Sequence, residues 1–116
     1  MARILVVDDE PIIAMTIADW LSDLGHSALG PAADLKSAFL LAEQALDAVI
    51  LDVSLGAETT IALAERLIER GVPFAVASGH DAQALGGAFG RGLPLPKPFL
   101  FETLRGAVER LLGQKS

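Results

Sequence analysis

Five polar side chains interrupt apolar runs at positions where they could do chemistry together. Asp8 and Asp9 follow Ile4-Leu5-Val6-Val7, Asp52 follows Ala48-Val49-Ile50-Leu51, Ser78 follows Pro73-Phe74-Ala75-Val76-Ala77, and Lys97 comes soon after Leu93-Pro94-Leu95. Each alone has a plain reading. An Asp where a strand meets a helix is often a cap or turn residue, and a lone Ser or Lys is usually structural or solvated. Together they make three carboxylates, a hydroxyl and an ammonium. Such acids, with a few waters, suit Mg²⁺, a hard cation that prefers oxygen ligands and keeps part of its hydration shell. A carboxylate beside that ion can attack a phosphoryl group. The ion, Lys97 and the Ser78 hydroxyl would then stabilise the charge on the phosphoryl oxygens. The same chemistry accounts for Asp8-Asp9-Glu10, three successive acids at the edge of an apolar run. Their repulsion is tolerable if a divalent cation, or Lys97 in its absence, balances them.

For these residues to meet, the elements that carry them must end at one edge of a sheet. The runs 4–7, 48–51 and 73–77 read as strands buried on both faces, with 26–30 and 93–95 as weaker strands. Amphipathic stretches separate them. Ile13, Ile17, Trp20, Leu21 and Leu24 share one helical face, with Pro11 in the first turn and Gly25 past the end. Asp34 is a candidate N-cap for a helix running to Leu46, and a third helix stops at Gly71. Phe101, Leu104, Val108 and Leu111 align before Gly113 in the last. Residues 82–92 make a poor helix, since Gly86, Gly87 and Gly90 each cost about 1 kcal/mol relative to Ala. The alternation predicts an α/β fold: a doubly wound, five-stranded parallel sheet of flavodoxin-like order 2-1-3-4-5, flanked by about five helices. Ligands of such sheets bind beyond the carboxyl ends of the strands, where the five residues fall.

With 116 residues, 52% of them hydrophobic, the chain is expected to form one domain over 1–116 with a core of its own. It has no cysteine, which excludes disulfides and thiolate metal sites. No apolar run approaches a membrane span and the N-terminus lacks the features of a signal peptide, so a cytoplasmic protein is expected. A net charge of −6 and scattered Lys and Arg argue against nucleic acid as a partner.

The segments Ile4–Pro11, Val49–Gly56, Val76–Gly79 and Leu95–Phe99, in this order and at these separations, resemble the receiver domain of bacterial two-component response regulators across nearly the whole chain. More narrowly, residues 30–38, 52–58 and 71–80 resemble stand-alone receivers of alphaproteobacteria, whose fourth strand ends Phe-Ala-Thr-Gly-aromatic; here Val76 to His80 occupy those positions. The resemblance implies Mg²⁺ as cofactor and Asp52 as phosphoacceptor. It implies that Asp9 ligates the metal directly, that Asp8 does so through water, and that the Ser54 backbone carbonyl and Asp52 complete the set. It makes Ser78 and Lys97 the partners of the phosphoryl group, and the Lys97–Pro98 bond cis. Ser54 and His80 would flank the attacking water and tune hydrolysis of the acyl phosphate. The phosphoryl donor would be a histidine kinase or a histidine phosphotransfer protein. Residues 82–92 are the segment expected to reorder on phosphorylation.

Two departures bear on output. Most receivers carry an aromatic residue or His three positions before the lysine; Pro94 stands there, so the usual rotating readout cannot operate. Leu100 precedes the last helix where a polar cap is commoner, and is expected in the core, the alternative being an exposed partner surface. No output domain is expected, so the signal would leave through contact with an unknown downstream protein, and the last helix could support a homodimer. The rival readings are a receiver fold that takes no phosphate and only binds, and an aspartyl-phosphate phosphohydrolase. The latter resembles Asp-x-Asp, whereas Ser54 occupies the second position.

Overall fold

The computed structural model describes residues 2–79 and 86–113. Its elements are β1 (Arg3–Val7), α1 (Pro11–Asp23), β2 (Ser27–Ala32), α2 (Leu35–Ala42), β3 (Ala48–Asp52), β4 (Ser54–Leu55), β5 (Glu58–Thr59), α3 (Ile61–Arg70), β6 (Phe74–Ser78), a 3-10 turn (Gly87–Arg91), β7 (Leu93–Pro96) and α4 (Phe101–Gly113). The five long strands make one parallel sheet in the order β2-β1-β3-β6-β7, and β4 and β5 form a separate antiparallel ribbon. Counting the sheet strands alone gives the expected order 2-1-3-4-5. The ribbon is an addition that the apolar pattern does not announce. No helix among the described residues is long and apolar enough to cross a membrane.

The central strands are apolar throughout because both faces are covered. Successive side chains of a strand point to opposite faces, and the core divides accordingly. Leu5, Val7, Val49, Leu51 and Val76 pack with Ala38 of α2 and Leu63 and Leu67 of α3. Ile4, Val6, Ile50, Ala75 and Ala77 pack against Ile17 and Leu21 of α1 and Leu104, Val108 and Leu111 of α4. The helix ends follow local chemistry. Pro11 opens α1, Asp34 Oδ1 accepts the Ser37 N–H at 2.8 Å, and Gly71 closes α3 in the left-handed region with φ 69°.

Four α-helices and a 3-10 turn stand among the described residues, and residues 80–85 lie outside them. In the glycine-rich stretch, Gly86 and Gly87 take φ of 72° and 57°, values that a right-handed helix excludes. α2 ends at Ala42 instead of reaching Leu46, because the Arg70 guanidinium donates to the Ala42 and Gln44 carbonyls and satisfies the helix end there. Leu100 is 75% exposed rather than in the core. Its carbonyl accepts the first α4 hydrogen bond, from Leu104, so it is the cap residue; a cap lies outside the helical repeat, and the apolar phase of α4 does not extend to it.

Candidate functional site

Strand register brings the polar residues together. Val7 pairs with Leu51, Asp52 with Ala77, and Ser78 with Pro96. Asp8, Asp52, Ser78 and Lys97 therefore leave four adjacent strands at one end of the sheet. The Lys97 N–H donates to the Ser78 carbonyl at 2.8 Å, which ties the loop after β7 to the end of β6. The Lys97–Pro98 peptide is cis, as is Gly30–Pro31. Trp20 of α1 packs edge-on to Phe99 and Phe101, with ring centroids 6.5 and 5.8 Å away, and seats that loop against α1.

The Lys97 ammonium sits in a cage of acids. It donates to Asp52 Oδ2 at 3.2 Å and lies 3.7 Å from Asp8 Oδ2 and 3.6 Å from Glu10 Oε1. Desolvation alone would lower its pKa, but Asp52 and Asp8 outweigh that effect and hold it above the ordinary lysine value. Asp8 and Ser78 are each 2% exposed, and Asp52 is buried as well. Asp8 Oδ1 accepts the Glu10 N–H at 2.9 Å, whereas its buried Oδ2 has no hydrogen-bond partner. Burial pushes the Asp8 carboxyl up, more than the Glu10 N–H and the Lys97 charge pull it down.

Single oxygens from Asp8, Glu10 and Asp52 lie within 4.8 Å of one another, and no other acid, His or Cys grouping among the described residues comes as close. The donor set is all oxygen, and one of its atoms is buried without a hydrogen-bond donor. That combination fits a hard divalent cation such as Mg²⁺.

The remaining candidates fall around this cluster. The Asp9 carboxylate turns away from it and accepts the Gly56 N–H at 2.6 Å. Ser54 is exposed and pairs with Thr59 in the β4–β5 ribbon. His80 lies outside the described residues, as do residues 82–85 of the segment expected to reorder.

Sequence reasoning did not single out Glu10, Gly56 or Thr60. Thr60 is fully buried; its hydroxyl donates to the Asp52 carbonyl at 2.5 Å and its N–H to the Val53 carbonyl at 3.0 Å, which fixes the backbone of the central acid. Glu10 was visible in the acid run. Nothing in the one-dimensional pattern marks Thr60, whose role depends on the ribbon folding back.

The family model of the response regulator receiver domain matches residues 4–109. No curated protein sequence matches the chain. Among solved structures, SdrG from Sphingomonas melonis Fr1 is 34% identical with a TM-score of 0.81, covering 97% of each chain. The receiver domain of NtrX from Brucella abortus is 33% identical with a TM-score of 0.81, over 95% of this chain and 98% of that one. The receiver domain of the sensor histidine kinase PA1611 from Pseudomonas aeruginosa PAO1, solved with a magnesium ion coordinated in its active-site cleft, is 27% identical with a TM-score of 0.79, over 97% and 98%.

Proposed function

Because the chain belongs to the response regulator receiver domain family, we propose that it is a phosphorylation switch in which Asp52 accepts a phosphoryl group from a phosphohistidine of a kinase or phosphotransfer protein. The observation that carries this reading is the Lys97 ammonium held on the Asp52 carboxylate beside a buried Asp8 oxygen that lacks a hydrogen bond. An Asp52 oxygen forms the new bond to phosphorus as the phosphorus–nitrogen bond to the donor imidazole breaks, and the imidazole leaves with the bonding pair. Asp8, Asp9, Asp52 and the Ser54 carbonyl would hold Mg²⁺, with Glu10 close enough to join them. Bound there, the ion supplies a Lewis acid for the phosphoryl oxygens.

The residues of the chain do the rest. Thr60 holds the Asp52 backbone still while its carboxylate attacks. Lys97 is already at the acceptor, so a short shift carries its charge from the carboxylate to a phosphoryl oxygen. The Ser78 hydroxyl, on the neighbouring strand end, is the second donor. The added charge of about −1.5 to −2 draws both inward, and the backbone bond from Lys97 to Ser78 makes the two loops move as one. Ser54 and His80 are retained as the residues that tune hydrolysis.

Intact mass tests the reading. After incubation with Mg²⁺ and a small-molecule phosphodonor, wild type should gain one phosphoryl group and Asp52→Asn none, and chelation of the metal beforehand should prevent the gain. No gain from either small donors or phosphorylated kinases would leave a receiver fold that only binds.

A protein donor must also seat itself beside Asp52. Ile12 and Met15 on α1 and Leu100 before α4 are 82%, 62% and 75% exposed, and Ile12 lines a groove of about 380 Å³ together with Trp20, Lys97 and Phe99. Such a donor would seat on this exposed apolar surface to deliver its phosphohistidine to the acids. Ile12→Asp should slow transfer from a phosphohistidine protein about 10-fold or more, the effect of losing a central contact. Labelling by a small donor should stay unchanged. Equal losses with both donors would place the defect in the acid cluster instead.

A further inference from the structure

The β4–β5 ribbon is a two-residue hairpin, Leu55-Gly56-Ala57-Glu58, with Gly56 at φ 62° in its first central position. Gly in that position with a left-handed φ is what a type II′ turn requires. The Gly56 N–H does not serve the turn; it donates to Asp9 Oδ2 at 2.6 Å, across 47 residues of sequence. A bond this short to a carboxylate is charge-assisted and about twice as strong as a neutral one. The oxygens of Asp8, Glu10 and Asp52 that gather within 4.8 Å do not include one from Asp9. Asp9 thus cannot hold the hairpin tip in this geometry and also join the acid cluster.

We propose that the Gly56 amide and Mg²⁺ compete for the Asp9 carboxylate, so that metal binding unlatches the hairpin that follows the phosphoacceptor. This rests on the magnesium reading above and adds a linkage to it. The hairpin begins at Ser54, two residues past Asp52, and its far end runs into Thr60, whose hydroxyl and N–H hold the Asp52 and Val53 carbonyls. In the latched form the strap is fixed at both ends. With Asp9 turned to the ion, the base of the hairpin stays held at Ser54 and Thr60 while its tip loses its tie and is free to meet a partner. Linkage requires the converse as well: whatever weakens the latch must tighten the metal.

The converse gives an unusual sign. An ideal Cβ on Gly56 meets nothing within 4 Å, so Gly56→Ala adds no clash and acts through the left-handed φ alone. The released tip is free to leave the II′ turn, so the strain falls on the latched form, and Mg²⁺ affinity should rise roughly 5-fold, the scale set by the penalty for an L-residue in that region. A glycine with only a structural role would leave metal affinity unchanged or lower it. The experiment is a Mg²⁺ titration of the full chain, wild type and Gly56→Ala, followed by ¹H–¹⁵N NMR. In wild type, the Gly56 amide proton should start far downfield, move upfield in proportion to the bound fraction, and lose protection from exchange. If amides of Asp8, Asp52 and Val53 shift with metal while Gly56 holds its frequency, the latch is wrong and the magnesium reading survives. Tightening absent in Gly56→Ala overturns it equally. If no amide responds to Mg²⁺, the magnesium reading itself fails and the linkage goes with it.

Discussion

Lys97→Met is expected to destabilise the metal-free protein by about 3 kcal/mol at pH 7, the scale for removing one member of a buried ion pair. In a domain of this size that is a fall in Tm of ~10–15 °C. The side chain is 20% exposed and faces Asp8, Asp52 and Glu10, and it is the cation that balances them. The loss should depend on pH in a defined direction. Burial already raises the Asp8 carboxyl above its ordinary 3.8, so the folded state takes up a proton more readily than the unfolded chain. That contribution is present in acid and is lost as pH rises from 3.8 through the higher folded value. Without Lys97 the acid cluster has more to gain from the proton, so the deficit should shrink between pH 7 and pH 5. Lys97 itself is raised above 10.5, so its favourable contribution is complete below that value and disappears only as pH rises through the folded one. Melts in chelator at both pH values check this. The same deficit at each would mean that the aliphatic stem, and not the charge, had been lost.

Asp8→Asn should act in the opposite sense on stability. It removes a carboxylate that is 2% exposed, whose Oδ2 lacks a hydrogen bond and which faces Asp52 and Asp9. Lys97 keeps Asp52 and Glu10 as partners, and the Glu10 N–H keeps an amide oxygen to donate to. The metal-free variant should melt a few degrees (~3–5 °C) above wild type at pH 7. The gain should shrink as pH falls through the raised value of the Asp8 carboxyl, because the wild-type group then becomes neutral as well. Mg²⁺ affinity should fall about 10-fold or more, because one oxygen of the set loses its charge. Paired melts with and without metal test both halves. A variant less stable than wild type at pH 7 would show that the ion pair with Lys97 outweighs the burial of the charge.

Much of this arrangement was legible in the sequence because its determinants are local. The apolar runs of β1, β3 and β6 and the stripes of α1, α3 and α4 fix the sheet and its crossovers, and the polar residues then converge because each terminates a strand. Asp8, Asp52 and Lys97 could be collected by position alone. The features that escaped the sequence are set by tertiary contact. The end of α2 depends on Arg70, which is 28 residues from Ala42 and reaches it only once α3 has packed. The β4–β5 ribbon rests on two residues per strand, too few to show a period. Leu100 precedes the first helical residue of its helix, so the apolar stripe that begins at Phe101 does not decide where its side chain goes. Asp9 and Asp8 are neighbours in the chain and point to different partners, a distinction that composition and spacing do not carry.

The prolines of the sheet have a consequence for how the molecule associates. Pro94 and Pro96 fall two residues apart in the outermost strand β7, so their missing N–H groups leave the same rim of the sheet without donors. At the opposite rim, β2 carries Pro31 beside a break in its pairing register with β1. An extended peptide that tried to lengthen the sheet at β7 would find no donors at these two positions. That rim is thereby protected against strand-by-strand aggregation.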